Sequence, residues 1–384
     1  MQKKEIGYYF FSFIYKICCL FRVKQNRIFL VMTHDSSEEG NVGVVKQYLQ
    51  EGEGEWEFCS LKRQDTRFNI GSKCKKLVHF FIKVPYQMAT SSYIFQDNVF
   101  LPMAFMKRRN DTKIIQLWHG TGTIKKFGQD VNVGRLKELE SRANQTITHL
   151  IVNSEQWKER YAHIFAVDQS KVFVTGMPRT DLLFQEEEQE KRVEQFYEDH
   201  KELIGKKLVL YAPTFRDQNL GKQTIALDVK QMLKVLPKEV VIGLRLHPFV
   251  ANQFQYDGLE KERVIDLSKE ENVNSLLFAS TALITDYSSI IFEYIVLNKP
   301  IYFFAYDLEE FSQHGRGFYE QYECYVPGPI SKTTEQLLQQ MQKMREEKQY
   351  QKQWEQIRQN FQKQNYMFED GNNTKRLIRL LDME

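Results

Sequence analysis

Ala282–Leu297 reads ALITDYSSIIFEYIVL, and this stretch decides the fold class. Ala282 to Thr285 is an apolar run of strand length, Asp286-Tyr287-Ser288-Ser289 is a polar break, and Ile290 to Leu297 is apolar enough for a core helix. A strand that turns straight into a helix leaves backbone N–H groups without partners at the helix start, where the macrodipole adds partial positive charge. Two readings are open. Ser288 and Ser289 form a phosphate seat, or a polar residue of the break, Asp286 foremost, caps a structural helix.

The same alternation extends outward in both directions. Strand-like runs recur at Ile28–Met32, Ser92–Phe95, Lys113–Leu117, Leu150–Val152 and Lys171–Thr175, with helical patterns at Asn41–Leu49 and Glu155–Phe165. A charged tract, Gln185–Lys201, interrupts them as a solvated helix or a passage between domains. Strands resume at Leu208–Tyr211, Val240–Leu246, Arg263–Ile265 and Ile301–Phe304, and Thr333–Asn365 and Thr374–Leu381 close the chain as helices. Strands separated by helices predict an α/β protein with two doubly wound, Rossmann-like parallel sheets. The expected division is 1–26, 27–184, 185–345 and 346–384, the last packing across both domains. In such folds the ligand cleft lies at the carboxyl ends of the strands, here expected between the two halves.

Composition narrows the class. A chain of 384 residues with 42% hydrophobic and 27% charged residues is globular and long enough for two cores, and a net charge of +3 gives no case for nucleic acid. Five scattered cysteines without C-x-x-C spacing fit a reducing compartment. The N-terminus differs from the rest. Ile6–Val23, IGYYFFSFIYKICCLFRV, is aromatic and apolar, and Lys3, Lys4, Lys16, Arg22, Lys24 and Arg27 outweigh Glu5 around it. No small-residue cleavage site follows. Residues 1–26 are expected to lie in a membrane surface, with a spanning or re-entrant helix and a buried structural helix as the other readings.

Functional groups should follow the strands, and they do. After Lys113–Leu117 stand His119, Gly120, Thr121 and Lys125; a histidine in a glycine-flanked loop suits a general base, or else merely caps a loop. Thr214 and Arg216 follow Leu208–Tyr211, Arg245 is read as the strand's own residue, and His247-Pro248 comes next. Arg316 sits between glycines after the last strand, and a guanidinium fork suits phosphate oxygens. The P-loop, dinucleotide-binding, zincin and nucleophile-elbow patterns do not occur at suitable places. Neither a cofactor nor a metal is expected, and charge would be stabilised by basic side chains and helix ends.

With these residues assembled, the chain resembles the CDP-glycerol glycerophosphotransferase family of teichoic-acid synthesis. The resemblance rests on QLWHGT at Gln116–Thr121 with Lys125, GMPRTD at Gly176–Asp181, YAPTFRD at Tyr211–Asp217, RLHP at Arg245–Pro248, LITDYSSIIFEY at Leu283–Tyr294 and RGFYEQYE at Arg316–Glu323. It implies a GT-B-like fold, a monotopic protein at the cytoplasmic face of the cell membrane, a CDP-polyol donor and a lipid-linked saccharide or polyol phosphate acceptor. It also implies that His119 and His247 are the catalytically important histidines. The expected chemistry is transfer of glycerol phosphate from CDP-glycerol to an acceptor hydroxyl, with release of CMP. His119 is then the base, and Gly120, Thr121 and Lys125 stand on the acceptor side. Donor contacts are expected from His247, Pro248, Arg316, Ser288, Ser289, Thr214, Arg216, Arg245, Asp286 and, by fold analogy on the ribose, Glu293. CDP-ribitol enzymes share these motifs, and the chain length resembles priming or short-extension members. A glycosyltransferase using a UDP- or GDP-sugar and a non-catalytic membrane-attached binding module are the rival classes.

Overall fold

The computed structural model describes residues 2–66, 73–216, 225–251 and 262–384. The chain forms two compact units, Met1–Thr121 with Phe127–Asp181 and Asn365–Glu384, and Gly122–Lys126 with Leu182–Gln364. The carboxyl-terminal helices therefore divide. Thr334–Glu346 and Lys348–Asn365 go with the second unit up to Gln364, and Asn373–Leu380 goes with the first.

The first unit holds β1 (Lys24–Met32), β2 (Glu57–Lys62), β3 (Ser91–Gln96), β4 (Lys113–Gln116), β5 (His149–Val152) and β6 (Val172–Val174). They pair in parallel in the order β2-β1-β3-β4-β5-β6. The six residues Arg27–Met32 of β1 are all buried, as expected of a strand covered on both faces. One face packs Ile28, Leu30, Phe95, Ile115 and Ile151 against Val42, Val45 and Leu49 of the helix Asn41–Glu51 and Leu377, Ile378 and Leu381 at the chain end. The buried Asp181 carboxylate takes N–H bonds from Asn373 (2.7 Å) and Thr374 (2.9 Å), which anchors that last helix.

The second unit holds β7 (Lys207–Tyr211), β8 (Val240–Leu244), β9 (Val264–Asp266), β10 (Ala282–Thr285), β11 (Ile301–Phe304) and β12 (Ile330–Ser331), all parallel, in the order β12-β11-β10-β7-β8-β9. The opening stretch is a strand at the residues expected. Its order reverses between β7 and β10, and in the first sheet between β1 and β3. Such switch points leave a crevice at the strands' carboxyl ends.

Gln2–Cys18 is a helix with two apolar faces. Phe11, Tyr15 and Cys18 are buried, with Phe11 against Phe80 and Phe100 at ring distances of 5.4 Å. Glu5 pairs with Arg135 at 2.7 Å, and the Phe21 carbonyl accepts from Arg109 at 2.7 Å. Ile6, Tyr9, Phe10, Phe13 and Ile17 lie on the outer face and are exposed, followed by exposed Leu20 and Phe21. The segment thus combines a docked structural helix with an uncovered apolar face. Among the described residues, no helix is long and apolar enough to cross a membrane.

Candidate active site

At the first switch point, the loops after β1, β3 and β4 meet. The Asp97 carboxylate, just past β3, accepts backbone N–H bonds from Thr33 (3.0 Å), His34 (3.2 Å) and Asp35 (2.8 Å). Burial nevertheless lifts its pKa to about 6, those bonds opposing the rise. His119 Nδ1 lies 2.9 Å from the Asp97 carbonyl oxygen. A carbonyl can only accept, so Nδ1 carries the proton and Nε2 keeps its lone pair. The His34 ring stacks on the His119 ring at 3.5 Å and 8°.

The approach to His119 is held under tension. Trp118 has φ 57, a left-handed conformation that costs a residue with a side chain about 1–2 kcal/mol. Its N–H donates to Gln116 Oε1 (2.9 Å), its carbonyl accepts from Asn41 Nδ2 (3.1 Å), and its ring stacks on Phe127 at 5.0 Å. Arg179 Nη1 donates to the His119 carbonyl at 3.0 Å. Burial first, then His34 and Arg179, lowers the His119 pKa to about 3. The ring is neutral at physiological pH, so its acceptor nitrogen is always available. The sequence marks His119 as a candidate base but gives no sign of this burial, and it does not single out His34, Asp97 or Asn41. Their only sequence signal is a position just after a strand or at the start of a helix.

Beyond Thr121 the chain joins the second unit. Lys126 N donates to Gly317 O (3.0 Å), Tyr319 N donates to Ile124 O (3.2 Å), and Lys125 bridges Phe318 antiparallel. A Cβ on Gly122 would meet Phe292 at 2.6 Å. Lys125 therefore belongs to the second unit, whereas Gly120 and Thr121 belong to the first. Burial lowers its pKa to about 8; Asp286 opposes that shift and Arg216 and Arg316 reinforce it.

At the second switch point, Asp286 closes β10 and is buried. Its Oδ1 accepts from Thr214 N (2.8 Å) and Tyr287 N (2.6 Å), and its Oδ2 pairs with Arg216 at 2.9 Å. It does not cap the helix Ile290–Tyr294. The capping position is Ser289, which makes no side-chain cap bond, and Ser288 Oγ reaches Ile290 N only at 3.4 Å. Five α-helical residues carry a small dipole, so any anion held here depends on the serine hydroxyls and local N–H groups. Glu293 is buried one turn into that helix.

Arg216 and Arg245 differ from the sequence expectation. Arg216 donates to Asp307 (2.7 Å), Asp286 and the Thr214 carbonyl (2.6 Å), beneath Tyr287 and Phe311. Its guanidinium is committed to shaping the site. Arg245 lies beyond the end of β8 and donates to the carbonyls of Leu267 (3.2 Å) and Glu270 (2.8 Å), a staple between two loops. A small cavity of about 50 Å³ remains, lined among others by Thr214, Phe215, Arg216, His247, Asp286 and Tyr306. His247 is exposed, stacks on Phe215 at 4.2 Å, and accepts from Val250 and Ala251 through its carbonyl. Thr214 Oγ1 is buried and has no hydrogen-bond partner among the described residues. Arg316 is exposed on its loop beside Gly317, which has φ 73. Asp217 and the Pro248 side chain lie outside what the structure describes. Among the described residues, no group of three or more His, Cys, Asp or Glu side chains is placed to hold a metal.

Residues 13–382 match the CDP-Glycerol:Poly(glycerophosphate) glycerophosphotransferase family. The chain belongs to it. Relatives in this family include the teichoic acid poly(ribitol-phosphate) polymerase of Bacillus spizizenii, 32% identical over 85% of this chain and 52% of that protein. The teichoic acid glycerol-phosphate primase of Bacillus subtilis is 33% identical over 70% of this chain and 69% of its own. The chain thus spans about half the length of the first of these. The wall teichoic acid polymerase TagF shares the fold, with a TM-score of 0.79 at 21% identity over 97% of this chain and 93% of that one. The family handles both glycerol phosphate and ribitol phosphate.

Proposed function

We propose that the chain transfers glycerol phosphate from CDP-glycerol to a hydroxyl of a membrane lipid-linked acceptor, releasing CMP, on a GT-B-type framework at the cytoplasmic face of the membrane. The observation that carries this reading is the second-unit cavity at the carboxyl ends of β7, β8 and β10, lined by Thr214, Arg216, His247 and Asp286 from the stretches on which the resemblance rests, in a chain of this family. A TagF structure obtained with CDPG supports the donor.

In this reading the first unit presents the acceptor hydroxyl to His119. Nε2, left as the acceptor by the Nδ1 bond to Asp97, takes the hydroxyl proton as the oxygen attacks the glycerol-bearing phosphate. The P–O bond to the CMP phosphate breaks and CMP leaves with its electron pair. Such transfers need alignment and charge stabilisation above all. Lys125 and Arg316 supply the cations, His247 donates a ring hydrogen bond to the donor phosphates, Ser288 and Ser289 hold phosphate oxygens, and Glu293 reaches the ribose. Arg216 and Asp286 keep the strand ends in register. The exposed face Ile6, Tyr9, Phe10, Phe13 and Ile17 lies in the membrane surface and keeps the enzyme near an acceptor that cannot leave the bilayer.

Ribitol phosphate is the second reading, favoured by the ribitol-phosphate relatives. The test supplies a lipid-linked acceptor with CDP-glycerol, CDP-ribitol or a UDP-sugar in turn, and follows the released nucleotide and the lipid product mass. CMP release with addition of one polyol phosphate is expected. UDP release, or no consumption of either CDP-polyol, removes the proposal.

A further inference from the structure

A cavity of about 480 Å³ opens in the first unit where β1 and β2 end, lined by His34, Ser36, Lys62, Arg63 and Gln64. His34, Lys62, Arg63 and Gln64 have side chains that can donate a hydrogen bond, Ser36 already donates to the Met32 carbonyl (2.8 Å), and none of the five is a carboxylate. Among the described residues, the side chains of Lys62 and Arg63 have no ion-pair partner. Two nearby carboxylates, Asp35 and Asp65, bind within their own loops. Asp35 Oδ1 accepts from Ser37 N (3.0 Å), and Asp65 Oδ2 accepts from Lys62 N (2.9 Å). His34 joins this cavity to the base, because it lines the cavity and its ring is stacked on His119.

We propose that this cavity seats a phosphate already present on the acceptor, so that the attacking hydroxyl belongs to a polyol phosphate end rather than to an uncharged sugar. The inference rests on the reading of the first unit as the acceptor side. The Arg63 fork, the Lys62 ammonium and the His34 ring hold the phosphate oxygens, and a polyol chain carries the hydroxyl from there to His119. The seated phosphate undergoes no chemistry. The proton of the attacking hydroxyl goes to His119 Nε2, and the only P–O bond that breaks is the one to CMP. The cavity is open, so its hold on the phosphate weakens with salt.

The experiment compares wild type, Arg63→Ala, Arg63→Lys and the double variant Lys62→Ala/Arg63→Ala on two acceptors with the same lipid anchor. One acceptor ends in glycerol phosphate, the other in an uncharged sugar. The expected result is a rise of about tenfold in KM for the phosphorylated acceptor in Arg63→Ala. The rise should be larger in the double variant and partly reversed in Arg63→Lys, with donor KM unchanged. An equal shift with both acceptors, or no shift, overturns the proposal. Calorimetric binding of glycerol 3-phosphate to the full chain, without donor, separates this inference from the activity itself. If wild type consumes no CDP-polyol, the catalytic reading falls while this arm still decides the cavity. Binding that is lost in the double variant upholds it; binding that is unchanged there, or undetectable in wild type, overturns it.

Discussion

Replacing His119 with asparagine should flatten the acid dependence of folding stability. The ring's pKa is held at about 3 against an ordinary 6.5, chiefly because burial penalises the imidazolium. Between those values the unfolded chain binds a proton that the folded chain does not. Stability from this group is therefore complete above pH 6.5 and drains away as the pH falls toward 3. Each unit is worth about 1.4 kcal/mol. From pH 6.5, where the unfolded ring is half protonated, to pH 4.5 the wild type should lose about 2.3 kcal/mol through this ring, a figure that its partial contact with water reduces further. Asp97 works in the opposite sense: its carboxyl, raised to about 6, adds stability as the pH falls through that value. His149, lowered to about 4 by burial, acts in the same direction as His119. Both remain in the variant, so the difference between the two proteins reports His119 together with the His34 ring stacked on it. Urea unfolding followed by tryptophan fluorescence at pH 6.5, 5.5 and 4.5 provides the measurement; Trp56, Trp118 and Trp157 report on the first unit. Parallel losses in wild type and variant would refute the assignment of a buried, neutral ring.

Four further outcomes follow from the geometry. Arg216→Met strands the carboxylates of Asp286 and Asp307 and should cost about 3–5 kcal/mol, read by thermal or urea unfolding; a loss below about 1 kcal/mol contradicts the buried triad. Gly176→Ala forces a side chain into φ 78 and within 2.0 Å of Asn373 Oδ1, and should destabilise by about 2 kcal/mol or more. In wild type, donor KM should climb above pH 8 as Lys125 loses its proton, since only the ammonium attracts the diphosphate; Lys125→Gln should start with a higher KM and lack that climb. Phe13→Glu with Leu20→Glu should reduce sedimentation with anionic vesicles while leaving the melting temperature unchanged. Phe11→Ala, on the docked face, should instead cost about 3–5 kcal/mol.

By itself, the sequence determined the elements and the places where chemistry could sit. Apolar runs of strand length separated by helical patterns are local signals, so β10 and β11 were legible to the residue, and the polar breaks after strands picked out WHGT, RLHP and DYSS. The aromatic, apolar character of the N-terminal segment is legible, though which face of its helix docks and which stays exposed is not written locally. What side chains do at those breaks was decided by tertiary structure. Arg245 and His247 look alike in a string of residues, but β8 ends at Leu244, the alternation of faces stops there, and the two point to different partners. Asp286 reads as a helix cap and is instead the buried counter-ion of an arginine from another strand's loop. Lys125 is near His119 in sequence, yet a short antiparallel bridge assigns it to the second unit. Strand order governs the rest. Periodicity says that β1, β3, β7 and β10 exist but not that β1 adjoins β3 or that β7 adjoins β10, because pairing is a long-range choice made by packing. Those two adjacencies bring Asp97 to the loop of His34 and Asp286 to the loop of Arg216, and so create both sites.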